Sequence, residues 1–268
     1  MIKKILSFYG ITAVFLAAIL FFAANTSRAS QKGYSLPKHA RQISDNLYSL
    51  GAAKDPRSDK VVEGYAIIHR KDAQVKPAQA ATKGKACYGF LAKGAKWKDT
   101  AEPWVVNPAN PNGLSDAFIL GNLASDIGKW ESAAGADVLG DGATTSADLS
   151  LGANTLNDAN EVYFDTIDSS GAIAVTIVWG IYSGPISGRV LVEWDQIYST
   201  DYGWSDSGAA GLMDFENIAT HELGHSFGMG DLYTSNCTLE TMFGYADYGE
   251  TNKRTLEAGD ITGINVLY

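Results

Sequence analysis

Apolar and polar residues follow two rhythms along this chain, and the changes of rhythm mark out its elements. Between residues 115 and 134 the apolar positions Ile119, Leu123, Ile127 and Trp130 recur at three- and four-residue spacing. That spacing places them on one face of a helix, a core stripe. Ser115 stands where an N-cap hydroxyl accepts from the first free N–H groups. Runs at 61–69, 137–139, 161–166, 172–179 and 188–194 predict strands. Trp97 and residues 104–106 suggest the first strand of the larger, C-terminal part. Pro108, Pro111 and Asn112-Gly113 form a turn after it. A second helix is expected to start at Asp214, a suitable N-cap. Residues 135–160 read as loop-rich, and 197–213 as a loop carrying Tyr198, Tyr202 and Trp204. Residues 31–60 are polar with scattered Gly and Pro, and 76–85 read as an exposed Lys/Ala/Gln-rich linker.

Composition adds class and compartment. At 268 residues the chain has room for one full domain and a smaller segment. A hydrophobic content of 46% excludes a disordered chain. Lys3 and Lys4, the apolar run 6–24 and the small residues around Ser27-Arg28-Ala29 make residues 1–29 read as a secretory signal. The alternative is an uncleaved membrane anchor over residues 5–24. Either way the remainder lies outside the cytoplasm, as a secreted or membrane-anchored protein. Charge is divided. Residues 30–86 hold eleven Lys and Arg against five Asp and Glu, and residues 87–268 hold seven against 25. A basic leader therefore precedes an acidic body, a charge pairing suited to a pro-region over 30–86. The acidic body argues against a nucleic-acid partner.

The chemistry concentrates in residues 221–231, His-Glu-Leu-Gly-His-Ser-Phe-Gly-Met-Gly-Asp. On a helix His221 and His225 are one turn apart on the same face, at the spacing of two metal ligands. Glu222 follows the first ligand and can serve as general base without ligating. Gly228 permits the helix to stop and the chain to turn back. Asp231 then supplies a third, oxygen ligand and leaves the fourth position of a zinc ion open. The other histidines, His39 and His69, lie far upstream. His39 reads as exposed, and His69 as a strand residue facing a neighbour rather than a ligand.

The extended motif, followed by Met242 in Thr241-Met242-Phe243-Gly244-Tyr245, resembles the metzincins, and among them the matrixins of microbes. The closing stretch 256–268 resembles the last helix of matrixins, and the likeness covers roughly residues 95–268. It departs at Asp231, where most metzincins carry histidine; the small secreted snapalysin type also has aspartate there. The resemblance implies an α+β, zincin-like fold: a twisted, mostly parallel sheet packed on two long helices, with a third at the C-terminus. It implies a secreted, monomeric zinc endopeptidase acting on protein or peptide substrates, with a catalytic domain over 87–268. His221, His225 and Asp231 would hold one Zn²⁺, Met242 would form the floor beneath it, and Phe243 and Tyr245 would border the substrate pocket. Metzincins with a tyrosine ligand carry it two residues after the methionine, where this chain has Gly244. Residues 172–179 would be the edge strand above the cleft. The second zinc of many matrixins needs histidines, and none lies between residue 70 and His221.

Three further readings follow. Asp158, Asn160, Asp165 and Asp168 offer oxygens to a Ca²⁺ ion, though not at EF-hand spacing; the alternative is an acidic loop without an ion. Cys87 and Cys237, the two cysteines of an exported chain, are expected to form a disulfide. The competing idea is the matrixin latency cysteine, but Lys85-Ala86-Cys87-Tyr88-Gly89 lacks the Pro-Arg-Cys-Gly signature. Rival functions are a zinc-binding adhesion module without turnover and a hydrolase of a non-peptide amide; Glu222 argues against the first.

Overall fold

The structure, a computed structural model, describes residues 33–71, 86–98 and 102–268. The signal or anchor reading of residues 1–29 and the linker reading of 76–85 lie outside the described residues. No described helix is long and apolar enough to cross a membrane.

The strands run in chain order as β1 (Arg41–Gln42), β2 (Leu47–Lys54), β3 (Val61–Lys71), β4 (Glu102–Val106), β5 (Leu139–Thr144), β6 (Asn160–Asp165), β7 (Ala172–Ile181), β8 (Val190–Ser199), β9 (Trp204–Ser205), β10 (Met213–Asp214) and β11 (Tyr245–Ala246). The helices are α1 (Asp116–Ala134), α2 (Phe215–Ser226) and α3 (Ala258–Leu267). The main sheet has the order β1-β2-β3-β7-β8-β6-β4-β5, and β11 adds to β3. From β8 to β5 every pairing is parallel. From β8 back to β1 every pairing is antiparallel. The sheet is therefore mixed, because the N-terminal segment contributes an antiparallel half that the expected mostly parallel sheet leaves out.

The same addition corrects a second expectation. Strand β7, read as the edge above the cleft, is internal: β8 pairs with one side and β3 with the other. Strand β8 also extends to Ser199, so Tyr198 is a fully buried core residue and not a loop residue.

Period-two alternation sends successive residues of the central strands to two cores. One core lies between sheet and helices, where Ile67, Ala174, Val178, Trp194 and Tyr198 meet Ile119, Leu123, Ile127 and Trp130 of α1 and Ile218 and Leu223 of α2. The other lies on the opposite face and collects Val62, Ala66, Ile68, Val175, Ile177, Trp179 and Ile197. Helix α1 begins as its sequence dictates, with Ser115 accepting from Phe118 N and Gly135 closing it at φ 65°. Its Trp130 Nε1 donates to the Thr220 carbonyl at 2.8 Å, which locks α1 against α2 one residue before the first motif histidine.

Candidate metal centre

Helix α2 carries the motif, and its start is fixed electrostatically. Asp214 caps it by accepting from Asn217 N at 3.0 Å, and Arg254 grips the same carboxylate through Nε at 2.8 Å. At the other end Gly228, at φ 101°, turns the chain back. A β-carbon there would stand 2.8 Å from the Ala95 carbonyl oxygen, so a side chain is excluded by space as well as by conformation. The turn brings Asp231 back beneath the helix.

Three candidate ligand atoms converge there. Asp231 Oδ1 lies 3.2 Å from His221 Nε2 and 3.3 Å from His225 Nε2. The three residues present donor atoms within 4.8 Å of one another. Each imidazole is oriented by its other nitrogen: His221 Nδ1 is 2.7 Å from the Thr241 carbonyl and His225 Nδ1 is 3.0 Å from the Met229 carbonyl. A carbonyl only accepts, so both Nδ1 atoms carry hydrogen and donate. Each neutral ring then keeps an Nε2 lone pair for a metal. His221 Nε2, His225 Nε2 and Asp231 Oδ1 are all buried without a hydrogen-bond partner. Three partnerless acceptors around one point are costly unless a cation joins them. Two imidazoles and a carboxylate fit zinc. In protein alone, a proton is the remaining way to relieve the cluster. Burial pushes the His225 imidazole down, but the Asp231 carboxylate overrides it and holds it at about 9. Burial and the nearby His69 push His221 to about 4. Burial opposes ionisation of Asp231, yet His225 and His221 hold its carboxyl well below the usual range.

Met242 packs against the motif helix. A β-carbon at Gly224 would lie 2.2 Å from Met242 Sδ, so the helix can carry only glycine where Met242 packs against it. Asp260, in the first turn of α3, accepts from Thr241 N at 2.7 Å and Met242 N at 3.1 Å. The closing helix thereby pins both the methionine and the carbonyl that orients His221.

Glu222 is buried, and burial raises its carboxyl above the usual range. Both of its oxygens are engaged. Thr176 Oγ1 donates to Oε2 at 2.5 Å, and His69 Nδ1 lies 2.9 Å from Oε1. The His69 ring also sits 4.0 Å from the His221 ring. His69 is a strand residue facing a neighbour, as read, and the neighbour is Glu222 of the motif. His39 is exposed, as read. A residue that sequence reasoning missed is Tyr233, whose hydroxyl donates to Asp231 Oδ2 at 2.6 Å and orients the third ligand. Asn46 Nδ2 in turn donates to the Tyr233 hydroxyl at 2.8 Å. A local signal for Tyr233 existed in its place two residues after Asp231, the near side of the ligand loop. A β-carbon at Gly244 would lie 2.4 Å from the Tyr233 ring, so the glycine makes room for it.

Phe243 is buried, and its ring lies 5.9 Å from that of Tyr245, which pairs through β11 with β3. The Tyr245 ring lies 5.3 Å from that of Tyr233. Cys87 and Cys237 form a disulfide. The four oxygen donors read as a calcium set are not brought together into a metal-holding group among the described residues. Asp158 instead pairs with Arg57 Nε at 2.5 Å, and Asn160 accepts from Trp194 N and donates to the Pro103 carbonyl.

Comparison with known proteins gives three similarities. The sequence profile of the family described as Matrixin matches residues 94–268. Human matrilysin is 36% identical over 74 residues, which span 28% of this chain and 26% of matrilysin, about a quarter of that relative's length. The crystal structure of metalloproteinase-II from Bacteroides fragilis aligns with 84% of this chain and 79% of its own, at 12% identity and a TM-score of 0.33.

Proposed function

Because the chain belongs to the matrixin family, whose members point to zinc-dependent peptide hydrolysis, we propose that it is a secreted, monomeric zinc endopeptidase with Glu222 as general base. The observation that carries this reading is the convergence of three partnerless buried acceptors, on His221, His225 and Asp231, next to a carboxylate that is not one of them. His221, His225 and Asp231 would hold the ion. When bound, zinc polarises a scissile carbonyl and acidifies water. Glu222 takes the proton of the attacking water and delivers it to the leaving amine; its raised carboxyl suits both steps. Tyr233 holds Asp231, and the Thr241 and Met229 carbonyls hold the two imidazoles, so the ligand set is fixed before an ion arrives. Met242 seals the floor, and Phe243 and Tyr245 border the site for the residue after the cleaved bond. Residues 1–29 serve as the export signal, 30–86 as the pro-region and 87–268 as the catalytic domain.

The test is hydrolysis of unfolded casein by the zinc-loaded protein from which residues preceding Cys87 have been removed. Cleavage that a chelator abolishes and added zinc restores is expected. Zinc bound at one equivalent with no casein cleavage would instead favour a binding module or a hydrolase of non-peptide amides.

A further inference from the structure

Strand β7 is apolar or glycine along its whole length except at Thr176, its one hydroxyl. Period-two alternation puts Thr176 on the face of Ala174 and Val178, toward the helices, where it is fully buried. A buried hydroxyl costs free energy unless it has a partner. Here the partner is the carboxylate of the motif: Thr176 Oγ1 donates to Glu222 Oε2 at 2.5 Å. We propose that Thr176 is the positioning residue of the base, anchoring Glu222 Oε2 to the sheet so that Oε1 is the oxygen that works on water. The proposal rests on the peptidase reading above and adds a residue to that site.

Three observations carry it. The two oxygens of Glu222 are held from different parts of the chain. Oε1 meets His69 Nδ1 on β3, within the stretch read as the pro-region, and Oε2 meets β7, within the stretch read as the catalytic domain. Of the two contacts, only that of Thr176 belongs to residues 87–268. The carboxylate is also turned the right way. The His69 ring that Oε1 meets lies 4.0 Å from the ring of His221, so Oε1 is on the ligand side. Glu222 offers an oxygen within 4.8 Å of a ring nitrogen of His221.

The third observation is the stiffness of the anchor. Thr176 is β-branched, which restricts its χ1, and β7 is paired with β8 from Ala174 to Ile181. The neighbouring strand grips the same helix one turn further on. Gln196, opposite Thr176, donates through Nε2 to Ser226 Oγ at 3.0 Å, and the Tyr198 hydroxyl donates to Gln196 Oε1 at 2.8 Å. Glu222 and Ser226 are four residues apart and share a face of α2. Two adjacent sheet residues thus set the rotation of the motif helix, and Thr176 also sets the torsion of the carboxylate. A base held in one orientation needs no search before each proton transfer.

The test compares Thr176→Val, which keeps the shape and loses the donor, with Thr176→Ser, which keeps the donor. In the full, zinc-loaded chain the Glu222 carboxyl band is isolated by isotope-edited infrared difference against Glu222→Gln, beside zinc content and urea unfolding. The band should shift in the valine variant and return in the serine variant, with zinc content unchanged in both. Casein kinetics are measured in the form of the parent that cleaves casein, the full chain or the chain cut between Lys71 and Cys87. The valine variant should lose kcat by about ten-fold or more at unchanged KM, and serine should recover most of the loss. If the valine variant does not fold, Thr176→Ala, which adds no bulk, takes its place with the same readings. A band that does not move without the hydroxyl overturns the proposal. So does a kcat per folded protein that does not change, the outcome of a hydroxyl that serves stability alone, or an equal loss in the serine variant. A band that shifts in a protein whose parent cleaves no casein in either form upholds the anchoring of Glu222 and overturns the peptidase reading.

Discussion

His69 and Glu222 are 153 residues apart in the chain and 2.9 Å apart in space, Nδ1 to Oε1, with both side chains fully buried. Burial, helped by the Lys253 charge, pushes the His69 imidazole down to about 3. At neutral pH it is therefore uncharged, and the contact is an imidazole N–H donating to a carboxylate rather than an ion pair. Its Nε2 stays buried without a partner. A neutral donor of this kind can occupy a base without adding charge to a site built for a cation.

Removal of the base separates chemistry from binding. Glu222→Ala in the protein lacking the residues before Cys87 should keep one zinc per chain, because His221, His225 and Asp231 remain. Casein turnover should fall by roughly 10²-fold or more. Metal content by atomic emission beside the turnover assay decides it; a zinc-loaded variant that turns over normally removes Glu222 from the mechanism.

Asp231→Ala leaves two protein ligands where catalytic zinc has three, so zinc occupancy should drop sharply at submicromolar free zinc. Asp231→His should restore occupancy if the loop carries the longer side chain. Equilibrium dialysis gives the answer, and full occupancy in the alanine variant would place the third ligand elsewhere.

Tyr233→Phe takes away the 2.6 Å hydrogen bond onto Asp231 Oδ2 and leaves the Asn46 amide without its hydroxyl acceptor. Zinc affinity should weaken by about 10-fold or more, with the fold intact. Competition against a chelating dye measures the constant; an unchanged value means that the loop backbone alone holds the carboxylate.

The disulfide joins positions 150 residues apart, and Cys237 is buried. Closing a loop of that length limits the unfolded chain strongly, so replacing both cysteines with alanine should cost about 2–5 kcal/mol. Urea unfolding of the two proteins, compared at equal zinc, tests this. A midpoint that does not move would show that the tie contributes nothing to stability.

Stability should also depend on pH through two carboxyls on one face of β8. Burial pushes Glu193 up to about 7 and raises Asp195 well above the usual range. The folded chain thus retains protons that the unfolded chain releases near pH 4. The stabilisation is complete below that value and is lost as pH rises through about 7. His69 and His221, held at about 3 and about 4, act in the opposite direction up to the ordinary histidine range, so the Glu193 part is read as a difference: in chelator-treated protein the melting temperature of Glu193→Gln minus that of the parent should rise between pH 5 and pH 7.5. A difference that does not change with pH contradicts the assignment.

Much of the centre was readable along the chain because its physics is local. The i, i+4 spacing of His221 and His225, the Asp214 and Ser115 caps and the turn at Gly228 each depend on residues within one or two helical turns. The methionine turn, the closing helix and the cysteine pair were legible in the same way, as a motif with its resemblance and as a count of two. Tertiary structure alone decided the rest. Strand 61–69 was recognised as a strand, but period-two alternation says which residues share a face and not which strand lies alongside. Only the pairing of β3 with β7 turned the expected edge into an internal strand. That pairing carried His69 to Glu222, and the pairing of β2 with β3 carried Asn46 to Tyr233, across separations of 153 and 187 residues. Contacts between residues so far apart leave no periodic trace in either segment; packing selects them when the sheet assembles.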